Sequence, residues 1–419
     1  MPEVVVTGIG IVCPIGVGPE AIWTAIERGQ SGIRTNPDLA AAGHPIPIAG
    51  EVVNFDGKEF VKPRKALKVM ARETQLGFAA AEMAWAAAGL ENARIDPERL
   101  GVTSGSNMFC PELPELEPGC RAADGGGGRF DFTKWGNIGL REVPPLWLLK
   151  YLPNMAPAHV SITHDARGPS NAIVAGETSG LLAIIEAADV VARGHADIML
   201  TGGCSSTVAM MDVMWHGGAR LSRRTDEPER ASRPFDADRD GWVGAEGGAM
   251  FVLETRAHAE ARGATPLAII RGYGRRHEPT ADKHTPATGQ SIRQAINAAL
   301  AMAGATPADV GFVSAHGMST EVDDRNEAQA IRAALGDVPV AALKSYFGNI
   351  GAAGGAIELA VAMLALERGL VPPTLNYETP DPACPVNVIT ELTPLAKPTV
   401  LAISHRTTGQ AVAMLVEAL

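Results

Sequence analysis

Apolar runs of strand length alternate with segments of helical period along most of this chain. Val4–Gly10 (VVVTGIG) is a continuous apolar run closed by a glycine turn and predicts a buried strand. Glu73–Gly89 has helical periodicity and ends on a glycine suited to a C-cap. Thr178–Arg193 predicts a second helix, Ile198–Gly203 a strand and Ala249–Leu253 another. The second half repeats the alternation: strand Leu267–Gly272, helix Ser291–Ala303, strand Gly311–Ala315, helices Arg325–Leu335 and Ala356–Arg368, strand Thr399–Ile403. Such alternation implies an α/β architecture with helices covering buried sheets. No linker divides the chain, so the pattern predicts one compact unit of two similar halves. Two stretches break the rhythm. Asn107–Arg141 carries Pro111, Pro114, Pro118 and Gly125–Gly128 and predicts a long irregular excursion; Ser222–Gly248 is polar, Gly-rich and equally irregular.

Composition narrows the function. Of 419 residues, 46% are hydrophobic, and no apolar run approaches a membrane span, because Glu358 and Glu367 interrupt the best candidate. The N-terminus enters Val4-Val5-Val6 without a basic region, which predicts a cytoplasmic protein without a signal peptide. A net charge of −11 disfavours nucleic-acid binding. Against that charge, Lys62, Arg64, Lys65, Lys68 and Arg72 form a local basic cluster, fit either for a solvated face or for docking an anionic partner. Cys13, Cys110, Cys120, Cys204 and Cys384 are scattered without CxxC or ligand spacing, so neither disulfides nor a metal are expected, and no motif calls for a cofactor. Two motifs are decoys. TGIGIVCPIG lacks the full GxGxxG spacing of a dinucleotide site. Asp236–Gly241 (DADRDG) opens like a calcium loop, but its twelfth position is Gly247 rather than Glu. His277 and His284 are assigned to a solvated polar loop.

Three segments carry candidate chemistry. Gly168–Gly180 (GPSNAIVAGETSG) places Glu177 on a turn just before a helix, where the dipole and unpaired N–H groups stabilise anions. Val313–Thr320 (VSAHGMST) places His316 on a Gly-flanked turn after a strand, fit for proton transfer or hydrogen-bond donation. Leu343–Gly355 (LKSYFGNIGAAGG) places Lys344 and Asn349 on a Gly-rich turn into a helix. Taken singly, each segment also suits a structural role.

Taken together, in order and over essentially the whole chain, they resemble the β-ketoacyl-acyl-carrier-protein synthases of fatty acid and polyketide synthesis. VVVTGIGIVCPIGVG, LPNMAPAHVSI, GPSNAI, ADIMLTGG, SRPFDADRDGWVGAEGGAMFVLE, HGMST, KSYFGNIGAAGGAIELA and PPTLNYETPDP carry the resemblance. It implies a thiolase fold, five layers α/β/α/β/α built from halves 1–253 and 254–419, normally dimeric. It also implies acyl chains delivered on an acidic acyl carrier protein, with the basic cluster Lys62–Arg72 at the docking position.

The departures concern the chemistry. Aligned on the family pattern, Glu177 stands where the acyl-accepting cysteine belongs, and an acylated carboxylate would be a mixed anhydride rather than a thioester. His316 matches the first family histidine, Asn349 replaces the second, and Lys344, Glu327 and Glu246 match motif positions. Ser404, His405, Arg406, Thr407, Thr408, Gly409 and Gln410 replace the Gly-Phe-Gly-Gly gate that supports the oxyanion hole. Cys204 is read as a small buried residue and no substitute nucleophile. Three functions stay open: a chain-length-factor-type partner, as homodimer or as heterodimer with an active ketosynthase; a non-condensing enzyme using Glu177 and His316 on carrier-bound acyl groups, for instance in malonyl decarboxylation; or a scaffold whose site has decayed.

Overall fold

The protein is represented by a computed structural model, which describes residues 2–107, 111–216, 220–281 and 285–419, without the side chains of 214–216. Cys110 and His284 lie outside the described residues. The first half contributes β1 (Val4–Cys13), α1 (Arg72–Ala87), β2 (Leu100–Gly105), α2 (Met155–Thr163), β3 (Ser170–Ile173), α3 (Ser179–Ala192), β4 (Ile198–Ser206) and β5 (Glu246–Thr255). The second contributes β6 (Ala268–His277), α4 (Gln290–Ala303), β7 (Phe312–Ser314), α5 (Glu321–Leu335), β8 (Pro339–Ala341), α6 (Gly354–Arg368), β9 (Thr399–His405) and β10 (Gln410–Ala418).

The halves are topological repeats. Strand order is β1-β5-β4-β2-β3 in the first and β6-β10-β9-β7-β8 in the second. In each, the first two pairings are antiparallel and the last two parallel. The two sheets join through the antiparallel contact of β1 with β6, where Val5 faces Ile269. Helices α3 and α6 lie between the sheets and touch strands of both; α1 and α2 cover the outer face of one sheet, α4 and α5 that of the other. These are the five layers expected from the sequence.

Burial explains the helix compositions. Residues Gly354–Leu366 of α6 are buried on every side, because a helix sandwiched by two sheets has no solvent face. Glu358 is the single acid in that buried stretch, and its partner is described below. On the outer face α1 packs so close to β1 that a Cβ on Gly10 would stand 1.9 Å from the Ala80 carbonyl oxygen. Gly10→Val is therefore expected to cost about 3 kcal/mol or more, enough to shift the protein into the insoluble fraction. A urea midpoint equal to that of the unaltered chain would refute this close-packing argument.

Two local expectations need correction. Asn107–Arg141 is not irregular throughout: Leu113–Ala122 is a helix despite Pro118 inside it, and Trp135–Gly139 forms a π-helical turn. His277 ends strand β6 instead of lying on a loop. Asp236 serves structure: it pairs with Arg233 (2.9 Å) and accepts from the backbone N–H groups of Asp238, Glu378 and Thr379. Cys204 lies buried within β4, where burial first and the Glu73 charge next push its thiol up to about 12. The four described cysteines are free. Among the described residues no helix is long and apolar enough to cross a membrane, and no three His, Cys, Asp or Glu side chains are placed to hold a metal.

β3 ends the sheet, and no strand of this chain pairs with its outer edge among the described residues. Large apolar side chains are exposed on α2 and on the segments that precede it, with Phe132 82% and Ile162 76% accessible and Leu146 and Leu148 likewise exposed.

Candidate active site

Glu177 and the turn that follows Asn349 meet at the seam between the halves. Glu177 lies in the single 3₁₀ turn Gly176–Thr178 that leads into α3, and Gly351–Ala353 forms the matching 3₁₀ turn before α6. The two turns pack against each other, so two helix N-termini converge, one from each half. Asn349 sits just before the second turn, buried, its side-chain oxygen accepting from the Gly351 N–H (3.1 Å).

His316 and Lys344 form the buried centre. The Lys344 ammonium donates to His316 Nδ1 (2.9 Å), to the His316 carbonyl (2.7 Å) and to Glu358 of α6, so its three protons are all engaged. A donor on Nδ1 requires a lone pair there, which assigns the ring proton of the neutral imidazole to Nε2. Burial first, then the charges of Lys344, His405 and Arg220, hold His316 well below the ordinary imidazole value. Glu327 of α5 fixes the His turn by accepting from the backbone N–H groups of His316 (2.7 Å) and Gly317 (2.8 Å).

The β9–β10 turn reaches over this centre. Ser404 Oγ donates to the Glu177 carbonyl (2.8 Å), and Arg406 Nε donates to the Glu177 carboxylate (3.1 Å). The guanidinium lies across Gly176, where a Cβ would come within 2.6 Å of it; Gly176 also has a positive φ of 58°, so both space and backbone demand glycine. Thr407 donates to Asp323 (3.0 Å), which also pairs with Arg220. Thr408 is half-buried on the same turn, and Gln410 accepts from Thr178 (2.9 Å).

His405, named with the segment in the gate position, reaches His316 from the end of β9. Its ring centroid is 4.6 Å from that of His316, edge-on, and it lies 3.6 Å from Glu327, an ion-pair separation and too long for a hydrogen bond. Burial alone would lower its pKa, but the Glu327 and Asp323 carboxylates outweigh it and leave the value raised. The turn thus sets an imidazole whose pKa is raised beside one whose pKa is held low.

Val174 is exposed, and the Glu177 side chain remains 25% accessible. Arg72 does not share a surface with the other basic residues. Lys62, Arg64, Lys65 and Lys68 are exposed on and beside the 3₁₀ segment Arg64–Val69. Arg72 turns inward to Glu246 (3.0 Å) and the Val52 carbonyl (2.7 Å).

Three buried carboxyls are pushed up by burial, Asp324 and Glu358 to about 7 and Glu73 to about 8. A folded state that holds protons the unfolded chain has released loses stability as pH rises. Stability should therefore fall as pH rises from 5.5 to 8, by up to about 1.4 kcal/mol per pH unit for each group until its folded pKa is reached. A urea midpoint that rises across this window would contradict the assignment.

Comparison with known proteins shows the family and the fold. The family model "Beta-ketoacyl synthase, N-terminal domain" matches residues 1–259, and "Beta-ketoacyl synthase, C-terminal domain" matches 267–378. The chain is 35% identical over 393 residues to the tetracenomycin polyketide synthase ketoacyl synthase alpha subunit of Streptomyces glaucescens, covering 92% of this chain and 90% of that one. The solved ishigamide ketosynthase/chain length factor superposes with a TM-score of 0.87 at 26% identity, over 100% of this chain and 99% of that one. A type II polyketide ketosynthase solved with its acyl-carrier protein gives 0.84 at 28%, with the same coverage.

Proposed function

Because the chain belongs to the β-ketoacyl synthase family, we propose that it is a non-condensing ketosynthase-like subunit that pairs with an active ketosynthase in the manner of a chain-length factor. The observation that carries this is the Glu177–Arg406 pair. Aligned on the family, Glu177 takes the nucleophile's place, and it is bound to a guanidinium from the very turn that in the family gates acyl entry. A carboxylate so held is a poor acyl acceptor, and Arg406 lies over the turn that an acyl thioester would approach. The site is rebuilt around an ion pair instead of simply losing a thiol, which argues against decay.

The exposed β3 edge and the apolar residues around Phe132 and Ile162 supply a surface for the second subunit. One structural neighbour is itself a ketosynthase/chain length factor, and another carries its acyl-carrier protein. The exposed Lys62, Arg64, Lys65 and Lys68 are the residues we assign to carrier docking. Co-expression with a cysteine-bearing ketosynthase should give a stable one-to-one complex, and Glu177→Ala should leave its condensation rate intact. Exclusive homodimers indifferent to that partner would sink the proposal.

A second reading rests on the intact centre. Neutral His316, its Nε2–H fixed by Lys344, could donate to the thioester carbonyl of a malonyl group and stabilise the enolate formed as CO₂ leaves. Malonyl-carrier protein incubated with the chain alone would then yield acetyl-carrier protein at a rate lowered about 100-fold in His316→Ala. A rate unaffected by that change would remove this reading.

A further inference from the structure

A cavity of about 560 Å³ lies along the first half, walled by Asp38, Glu51, Glu73, Glu112, Glu246 and Arg72. Its volume is that of a small-molecule site, and five carboxylates face one guanidinium. Arg72 is engaged by Glu246 (3.0 Å). Glu112 reaches Lys150 (3.4 Å) at the exposed rim, and Glu51 accepts from the Asn36 amide (3.2 Å).

Glu73 has no such partner. It is 5% accessible on the first turn of α1, and among the described residues the donor credited to its carboxyl is its own backbone N–H. Burial, and after it the charges of Asp212, Glu246 and Glu112, push it up to about 8. Without a cation this carboxyl keeps its proton, and a cation placed against it from the cavity would favour its ionised form. The carboxylates are spread around the walls and do not converge: among the described residues no set of three is placed to hold a metal. Between them Leu39, Met210 and Met211 give apolar, polarisable wall. Spaced acceptors on an apolar wall suit an extended aliphatic cation better than a point charge.

We propose that this cavity is a binding site for a small organic cation, an aliphatic amine or diamine whose ammonium sits on the Glu73 carboxylate. The site is separate from the turns around Glu177 and does not depend on the function proposed above. Binding would draw Glu73 into its ionised form near neutral pH and release a proton to the solvent.

Titration calorimetry of the purified protein in its own oligomeric state, with 1,4-diaminobutane, provides the test. Saturable binding is expected, with a heat that changes with the ionisation enthalpy of the buffer. Glu73→Gln should weaken it about 10- to 100-fold and abolish the buffer dependence, and Asp38→Asn should weaken it less. Circular dichroism of each variant checks that the fold is kept. Absence of binding, equal binding of 1,4-butanediol, displacement by magnesium chloride at matched ionic strength, or unchanged binding in folded Glu73→Gln would each overturn the proposal.

Discussion

Lys344→Met is expected to destabilise the protein by about 3–5 kcal/mol. The substitution leaves Glu358 as an unpaired acid in the middle of α6, a helix with no solvent-facing side over Gly354–Leu366. It also removes the donor on His316 Nδ1 and one of the charges that hold that imidazole below its ordinary value, so the His316 pKa should rise. Adding Glu358→Leu should recover much of the lost stability, since an apolar pair of similar volume replaces a buried ion pair without leaving a charge behind. Urea denaturation of the two variants measures both effects. A single variant within about 0.5 kcal/mol of the parent would mean that the buried triad contributes nothing specific.

The second large effect concerns assembly. Phe132→Asp combined with Leu148→Asp should weaken subunit association about 100-fold or more, corresponding to about 3 kcal/mol. Both side chains are exposed in the isolated chain, on segments that precede α2 and the unpaired β3 edge. Their loss should not harm the monomer, because neither contributes to its core. Analytical ultracentrifugation over a concentration series separates the two outcomes. Unchanged association of a folded variant would move the contact surface elsewhere.

The sequence made the long periodic elements legible. The helices over α1, α3, α4 and α6 and the strands over β1, β4 and β5 stand where apolar periodicity put them, within a few residues. β10 was not legible, because QAVAMLVEA is apolar without alternation and reads as readily as helix; its partners β9 and β6 decide the matter. The helix Leu113–Ala122 was hidden by Pro114 and Pro118, although a proline at the first turn is compatible with a helix start.

At the site, His316, Lys344, Asn349 and Glu177 could be singled out from glycine-flanked turns. Their pairings could not. Arg406 meets Glu177 across 229 residues, and His405 meets His316 only because β9 ends beside β7. Along the chain, the 404–410 segment registered as the loss of a gate; in space it is a hand laid on the first turn. Arg72 shows the opposite error. Counted with its basic neighbours it enlarged a surface cluster, whereas the fold turns it toward Glu246.

The duplicated architecture has a consequence for how this chain can change. Glu177 comes from the first repeat and Arg406 from the second, so the two members of the pair sit on opposite sides of the natural crossover point between β5 and β6. On the alignment proposed above, a hybrid joining the first repeat of a cysteine-bearing relative to the second repeat of this chain would set Arg406 against a thiol and lower the thiol's pKa. The reciprocal hybrid would leave Glu177 with no counter-charge. Exchanging either half alone would therefore change the chemistry of this pair.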